Sequence, residues 1–388
     1  MTYETGASGR KARDLGLRMG DLPNGPLNAI TDVAGVRVGH VTLIEGEGDL
    51  VRGEGPVRTG VTVIMPRDEP WNQPLFAAPH RLNGNGEMTG LEWVRESGTL
   101  NSYIGLTNSH SVGVVRDGII AHEALHRPQG EDFWSLPVVG ETWDGALNDL
   151  NGFHVKQEHV LEAIANARGG HVAEGSVGSG TGMVCHGYKG GIGTASRVVA
   201  DEDGGYTVGV LVQANHGRRQ RLTVDGTHIG DAITLPDDEQ ASFPGDTDAP
   251  RAPGAQQGVT VPEGSGSIIV IVATDAPLLP HQCERLAQRA VIGVGRVGGA
   301  GENGSGDLVL CFSTANERMP GVFDREAGRE FQATALNNSK IDPLFYAAIE
   351  ATEEAIVNSM LAADTMVGIN GNTRYALPHD QLLELVKR

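Results

Sequence analysis

Apolar positions along this 388-residue chain follow strand-like runs in some stretches and helical spacing in others. VTVIMP (61–66) is a short apolar run with β-branched residues and predicts a strand, as does WSLPVVGET (134–142). Residues 87–99 and 111–126 have helical spacing, the second through Val112, Val115 and Ile119, and EHVLEAIANAR (158–168) predicts an amphipathic helix. SRVVA (196–200), DEDGG (201–205) and YTVGVLVQAN (206–215) read as strand, turn and strand, a hairpin. The most strand-like segment is SIIVIVATDA (267–276). A helix over 280–295, a buried strand over 307–316 and a long helix over 343–363 follow, the last with Pro343 near its start, where a missing N–H costs little. Hairpins mixed with helices favour sheets packed between helix layers over a purely parallel doubly wound sheet.

Composition adds further restrictions. Residues 236–266 are rich in Pro, Gly, Asp, Ala and Gln with almost no large apolar side chain, the composition of a flexible linker between domains or of a surface loop within one. Glycine is abundant, 55 of 388 residues, roughly twice the usual share, so many tight turns or close backbone approaches are expected. Thirty basic against 49 acidic residues give a net charge of −19, which repels phosphate backbones and argues against nucleic-acid binding. No run of 18 apolar residues predicts a membrane span, and MTYETGASGRKARDLG lacks the apolar stretch of a signal peptide. Cys185, Cys283 and Cys311 are too few and too widely spaced for a disulfide framework or a zinc motif, so a cytoplasmic protein is expected.

Several segments carry possible chemistry. HEALH (122–126) matches H-E-x-x-H, which on a helix puts His122 and His126 on one face as zinc ligands with Glu123 as general base. A third ligand is required, the extended metzincin pattern is absent, and Pro128 ends the helix at once. GVGRVG (293–298) matches a dinucleotide fingerprint but follows a helix and runs into more loop, so a glycine-rich turn explains it better. Cys185 and His186 are adjacent, and adjacent side chains diverge in a helix or a strand, so no dyad is expected of them. The surrounding GSVGSGTGMVCHGYKGGIG (175–193) reads equally as a structural crossing or as a loop approaching a substrate.

The junction Gly266–Ser267 is the sharpest feature. As structure it is a loop-to-strand boundary. As chemistry, a serine there can attack the preceding carbonyl, cut the chain and emerge as a new N-terminal residue. Its α-amine, with an ordinary pKa of about 7.7–8.0, then lies beside its own hydroxyl, nucleophile and base in one residue. Downstream, Ser305 and Asp307 are two apart and fall on one face of an extended chain. Upstream, Asn215 ends a strand with a carboxamide suited to an oxyanion.

These residues sit in stretches that together resemble the self-processing aminopeptidase family of the L-aminopeptidase/D-amidase/D-esterase and the β-aminopeptidases. The matching stretches include KARDLG (11–16), GPLNAITDVAGVRVGH (25–40), NGNGEMTG (83–90), ETWDGALNDLNGFHV (141–155), GSGTGMVCHGYKGGIGTASR (178–197), VGVLVQANHG (208–217), GSGDLVLCFST (304–314) and VGINGNTRYALP (367–378). They keep their order over nearly the whole length. The resemblance implies an α+β fold, a four-layer αββα sandwich of the N-terminal-nucleophile type. It implies a single domain cut before Ser267 into fragments 1–266 and 267–388 that assemble into a homo-oligomer. It implies Ser267 as nucleophile, Asn215 as oxyanion donor, and Ser305 and Asp307 as the pair that orients the nucleophile and its amine. Trp143 stands where the family pattern often has a tyrosine that helps the oxyanion, and an indole N–H donates but cannot accept.

The expected activity is release of N-terminal residues from short peptides, amides or esters, with no metal or organic cofactor. The alternatives are a related self-cleaving amidase or acyltransferase, a zinc peptidase built on His122, Glu123 and His126, and a nucleotide-binding module built on GVGRVG.

Overall fold

The computed structural model describes residues 10–131, 133–235, 266–321, 324 and 327–386. Nine strands and six helices carry the architecture among these residues. The strands are β1 (Arg37–Glu45), β2 (Val57–Met65), β3 (Leu75–Arg81), β4 (Ile104–Asn108), β5 (Val138–Thr142), β6 (Gly191–Val198), β7 (Thr207–Asn215), β8 (Ser267–Thr274) and β9 (Leu308–Ser313). The helices are α1 (Leu91–Ser97), α2 (Val112–Leu125), α3 (Gln157–Asn166), α4 (Pro280–Arg296), α5 (Asp342–Leu361) and α6 (His379–Val386).

Strand β8 shows why its sequence is an unbroken apolar run. Ile268, Val270 and Val272 pack with Leu286, Ala290, Ala351 and Ala355 of α4 and α5. Ile269, Ile271 and Ala273 pack with Ile64, Ile104, Leu106 and Val138 of β2, β4 and β5. A strand covered on both faces has no polar side to show. The second sheet repeats the logic, with Val61, Val63 and Val139 turned outward onto Val115, Ile119, Val160 and Ile164 of α2 and α3. The layers are therefore helix, six-stranded sheet, four-stranded sheet, helix: the expected αββα sandwich.

The six-stranded sheet runs Thr99–Leu100, β3, β9, β8, β7, β6, and the four-stranded sheet runs β1, β2, β4, β5. Strands β8 and β9 pair in parallel, as do β4 and β5; the other pairs in these two sheets are antiparallel. The predicted hairpin is β6 and β7, joined through Gly204 and Gly205, both at positive φ. Helix α1 is shorter than the predicted 87–99 because Gly90 and Gly98, at φ 74° and 69°, bracket it in left-handed conformations that end helical winding. The strand predicted over 134–142 begins only at Val138, after Pro137. Except for Gly266, the linker over 236–266 lies outside the described residues. No helix among those described is long and apolar enough to cross a membrane.

Candidate active site

The antiparallel register sets Ser267, first in β8, directly opposite Asn215, last in β7. Ser267 continues the face of Ile269 and Ile271, and Asn215 that of Leu211 and Gln213, so both side chains open toward the second sheet. Ser267 is buried, and its Oγ accepts a hydrogen bond from the Gly306 N–H at 3.0 Å. A backbone donor aimed at a serine oxygen stabilises negative charge developing there.

The loop before β9 brings the predicted pair together. Ser305 Oγ donates to Asp307 Oδ1 at 2.5 Å, and the Ile268 N–H donates to the same oxygen at 3.2 Å. Asn83 Nδ2 donates to Asp307 Oδ2 at 3.0 Å. Burial pushes the Asp307 carboxyl above its ordinary range, while Ser305, the Ile268 N–H and Asn83 pull it back toward the ionised form. The carboxylate thus sits on the backbone N–H of the residue that follows Ser267.

The Asn215 carboxamide has a fixed orientation. Its Oδ1 accepts from the Val184 N–H at 2.7 Å, and its Nδ2 donates to the Trp143 carbonyl at 2.9 Å. The second Nδ2 hydrogen is not used by that bond. Trp143 therefore reaches the site through its backbone, and its indole packs with Val184 on Ala146, Leu147 and Met366. The loop carrying Trp143 is anchored by Asp144, which is buried and accepts from Asn108 at 3.0 Å and Asn148 at 3.1 Å. Burial raises the Asp144 carboxyl to about 6.

Further contributors escaped the reading of single residues. Asn83 and Asn85 clamp the 302–307 loop; Asn85 donates from its N–H to the Ser305 carbonyl at 3.0 Å and from Nδ2 to the Gly304 carbonyl at 2.8 Å. Gly86 and Gly306 touch backbone to backbone: a β-carbon on Gly306 would lie 2.4 Å from the Gly86 Cα. Glu141 stands beside the same contact, its Oε1 3.3 Å from where a β-carbon on Gly86 would lie; it is buried, its carboxylate accepting from the Glu87 N–H at 2.9 Å and from Ser109 Oγ. Burial raises the Glu141 carboxyl against those two hydrogen bonds. NGNG and the ETWDG run were visible in the sequence, but not which loop each would meet. A cavity of about 350 Å³ opens beside Gly86, lined by Gly84, Met88, Leu91, Trp93, Leu136 and Leu308 among others.

The remaining sequence features fall elsewhere. His122 and Glu123 lie on α2, outside the second sheet, and His126 folds its Nδ1 to 2.7 Å from the His122 carbonyl oxygen. No third His, Cys, Asp or Glu joins them in a ligand cluster among the described residues. GVGRVG forms the end of α4, where Gly293 lets the helix approach α5: a β-carbon there would lie 2.6 Å from the Ile349 carbonyl oxygen. Residues 175–193 form a buried crossing in which Lys189 Nζ donates to the carbonyls of Gly180, Met183 and Gly190 at 3.2, 2.9 and 2.8 Å. The expectation that Cys185 and His186 diverge is corrected. His186 adopts φ 47° in the turn between two-residue strands, neither helix nor strand, and both side chains converge on His216.

Known proteins share this layout. The model of peptidase family S58 matches residues 28–374. The chain is 49% identical to the beta-peptidyl aminopeptidase BapA of Sphingosinicella microcystinivorans, over 98% of this chain and 93% of that protein. It is similar to a Burkholderia sp. beta-aminopeptidase structure with TM-score 0.85 and 47% identity, covering 97% of this chain and 98% of that one. It is also similar to the L-aminopeptidase D-Ala-esterase/amidase of Ochrobactrum anthropi, a serine aminopeptidase with a variant Ntn hydrolase fold, with TM-score 0.83 and 40% identity over 97% of this chain and 98% of that one.

Proposed function

The chain belongs to peptidase family S58 and is a serine aminopeptidase; from that premise we propose that it cuts itself before Ser267 and then releases N-terminal β-amino acid residues from short peptides. The observation that carries this reading is Ser267 at the first position of β8, with the Gly306 N–H on its Oγ and Asn215 across from it.

In the first step Ser267 Oγ attacks the Gly266 carbonyl carbon, the C–N bond breaks as the Oγ proton passes to the Ser267 nitrogen, and the chain shifts to an ester. Water hydrolyses the ester, leaving a Gly266 carboxylate and a free Ser267 α-amine. In each turnover that amine takes the Oγ proton as Oγ attacks the substrate carbonyl, and returns it to the leaving amine. Asn215 Nδ2 donates to the oxyanion, Asp307 with Ser305 orients the Ser267 amine, and water releases the acyl group. We assign Glu141, buried beside Gly86, to the ammonium of the substrate, and the cavity beside Gly86 to its apolar side chain.

The β-residue preference is supported by the identity to the BapA proteins, 49% and 42%. A preference for α-residues is the second reading, favoured by the Ochrobactrum neighbour at 40%. Release rates from matched β-homoalanyl, L-alanyl and D-alanyl anilides decide between them. Faster release of the β-residue is expected; exclusive cleavage of α-residues overturns the preference. We also place the enzyme in the cytoplasm as a homo-oligomer of two-fragment protomers. Its three cysteines are buried and free, and sedimentation of the purified protein tests the assembly.

A further inference from the structure

A second cluster lies next to Asn215, outside the residues assigned to the reacting groups. The turn at His186 and Gly187, at φ 47° and 79°, folds Cys185 and His186 toward His216, the neighbour of Asn215. Donor atoms of Cys185, His186 and His216 lie within 4.8 Å of one another, and all three residues are buried. Cys185 Sγ is 3.8 Å from His216 Nδ1. A sulfur and a nitrogen on one tetrahedral zinc stand about 3.5 Å apart, so little movement separates this arrangement from a coordination shell.

His186 Nδ1 is 3.0 Å from the Arg218 carbonyl oxygen. Only a donor suits an acceptor, so Nδ1 carries the proton and Nε2 bears the lone pair, the pattern of a histidine oriented to ligate. Nε2 of His186 is buried without a hydrogen-bond partner, and His216 turns its Nδ1 toward Cys185 Sγ. The rings are held in place: a β-carbon at Gly217 would lie 2.3 Å from His186 Cε1, and one at Gly299 3.1 Å from His216 Cδ2.

We propose that Cys185, His186 and His216 bind a soft divalent d-block cation, zinc in the first instance. One thiolate and two imidazoles select such an ion over magnesium or calcium, which take oxygen ligands. On binding, the Cys185 S–H gives its proton to solvent and the sulfur lone pair forms the metal bond. Three protein donors leave a fourth position for water. The ion ties the 184–189 hairpin to the end of β7. Those two segments already hold the Asn215 carboxamide, through Val184 N–H to Asn215 Oδ1 at 2.7 Å, and meet again through His186 N–H to the His216 carbonyl at 2.7 Å. Its role is to fix the oxyanion carboxamide in place, and it does not touch the substrate.

The test is metal content and cobalt spectroscopy on the full chain, which need no assay of activity. Protein made in zinc-supplemented medium and purified without chelator is expected to retain about one zinc per chain. Cobalt exchanged into it is expected to show a thiolate-to-cobalt charge-transfer band that Cys185→Ser abolishes. Melting is expected to move up by several degrees with zinc in the wild type and not in Cys185→Ser. His186→Gln serves as a second variant, with loss of retained zinc expected, should Cys185→Ser fail to fold. A folded wild type that retains no metal and gives no cobalt–sulfur band overturns the site, as does a band that survives Cys185→Ser. Either result leaves Cys185 as a core thiol donating to His216.

Discussion

Gly266 has no room for a side chain against Asn215: a β-carbon there would lie 2.0 Å from the Asn215 carbonyl oxygen. The residue before the scissile bond is thus pressed onto the residue that is to hold the oxyanion. Glycine is the one side chain that permits this approach. Gly266→Ala is expected to push the carbonyl away from Ser267 and slow self-cleavage by at least about tenfold, a displacement cost of over about 1.4 kcal/mol in the barrier. Accumulation of uncut chain over time on a denaturing gel checks it. Cleavage at the wild-type rate would mean that the contact is not kept along the reaction path.

Ser267→Ala is expected to leave one uncut chain, because alanine has no nucleophile. The wild type is expected to give fragments of 266 and 122 residues (388 − 266) that stay together without denaturant. Intact mass reads both. N-terminal sequencing of the smaller fragment separates a cut before Ser267 from one before Ser265, which lies outside the described residues.

Much of the sandwich was legible because burial writes itself into sequence. β8 is apolar at every position from Ile268 to Ala273 since a layer covers each face, and the hairpin of β6 and β7 announced its own turn. β3 was not legible: it carries Pro79 and His80, and its main partner in register, β9, lies more than 200 residues away. The same holds at the site. Ser305 and Asp307 are two residues apart, so local geometry was enough to join them. Asn83 and Asp307 are 224 apart, and Glu141 reaches the neighbourhood through Gly86, so only the packing of two loops makes them one site. Cys185 and His186 misled because the rule of diverging neighbours assumes a helix or strand, and a positive-φ turn is neither.

Lys189 is expected to matter for activity more than its distance from the reaction suggests. Its buried Nζ donates to three carbonyls of the crossing that leads to Val184, the residue that holds Asn215. Lys189→Met leaves those carbonyls without their donor, a cost of about 2–4 kcal/mol in stability. A fall in kcat with little change in KM is expected in whatever fraction remains folded, since Asn215 acts on the transition state. An unchanged kcat would remove Lys189 from any positioning role.

The zinc-peptidase alternative is tested on α2. His122→Ala with chelator present is expected to leave activity essentially intact, and loss that zinc restores would reverse that. Glu123 on the same helix gives a stability prediction instead. Burial pushes its carboxyl from 4.5 up to about 7, against Ser135 and Arg127, which lower it. The folded state therefore holds the proton longer than the unfolded state, and stability falls as pH rises between those two values. Glu123→Gln carries no such penalty and is expected to be more stable than the wild type by about 1–3 kcal/mol at pH 8, with little difference at pH 4. Urea unfolding at the two pH values measures it.

The last prediction concerns the base. The Ser267 α-amine accepts a proton only when neutral, so activity is expected to rise with pH through one ionisation in the neutral-to-alkaline range, around an ordinary amine value of about 7.7–8.0. The Asp307 carboxylate lies one residue away, bonded to the Ile268 N–H at 3.2 Å, and its charge favours the protonated amine. Asp307→Asn removes that charge. The amine then loses its proton more readily, and the rising limb is expected to move to lower pH. The maximal rate is expected to fall at the same time, because the asparagine Oδ1 is a weaker acceptor for Ser305 and the Ile268 N–H. The direction of the shift separates the two candidate bases. If Asp307 itself were the base, the wild-type limb would follow a carboxyl group and Asp307→Asn would abolish it. A limb that moves to higher pH in Asp307→Asn would leave the amine with no role in proton transfer.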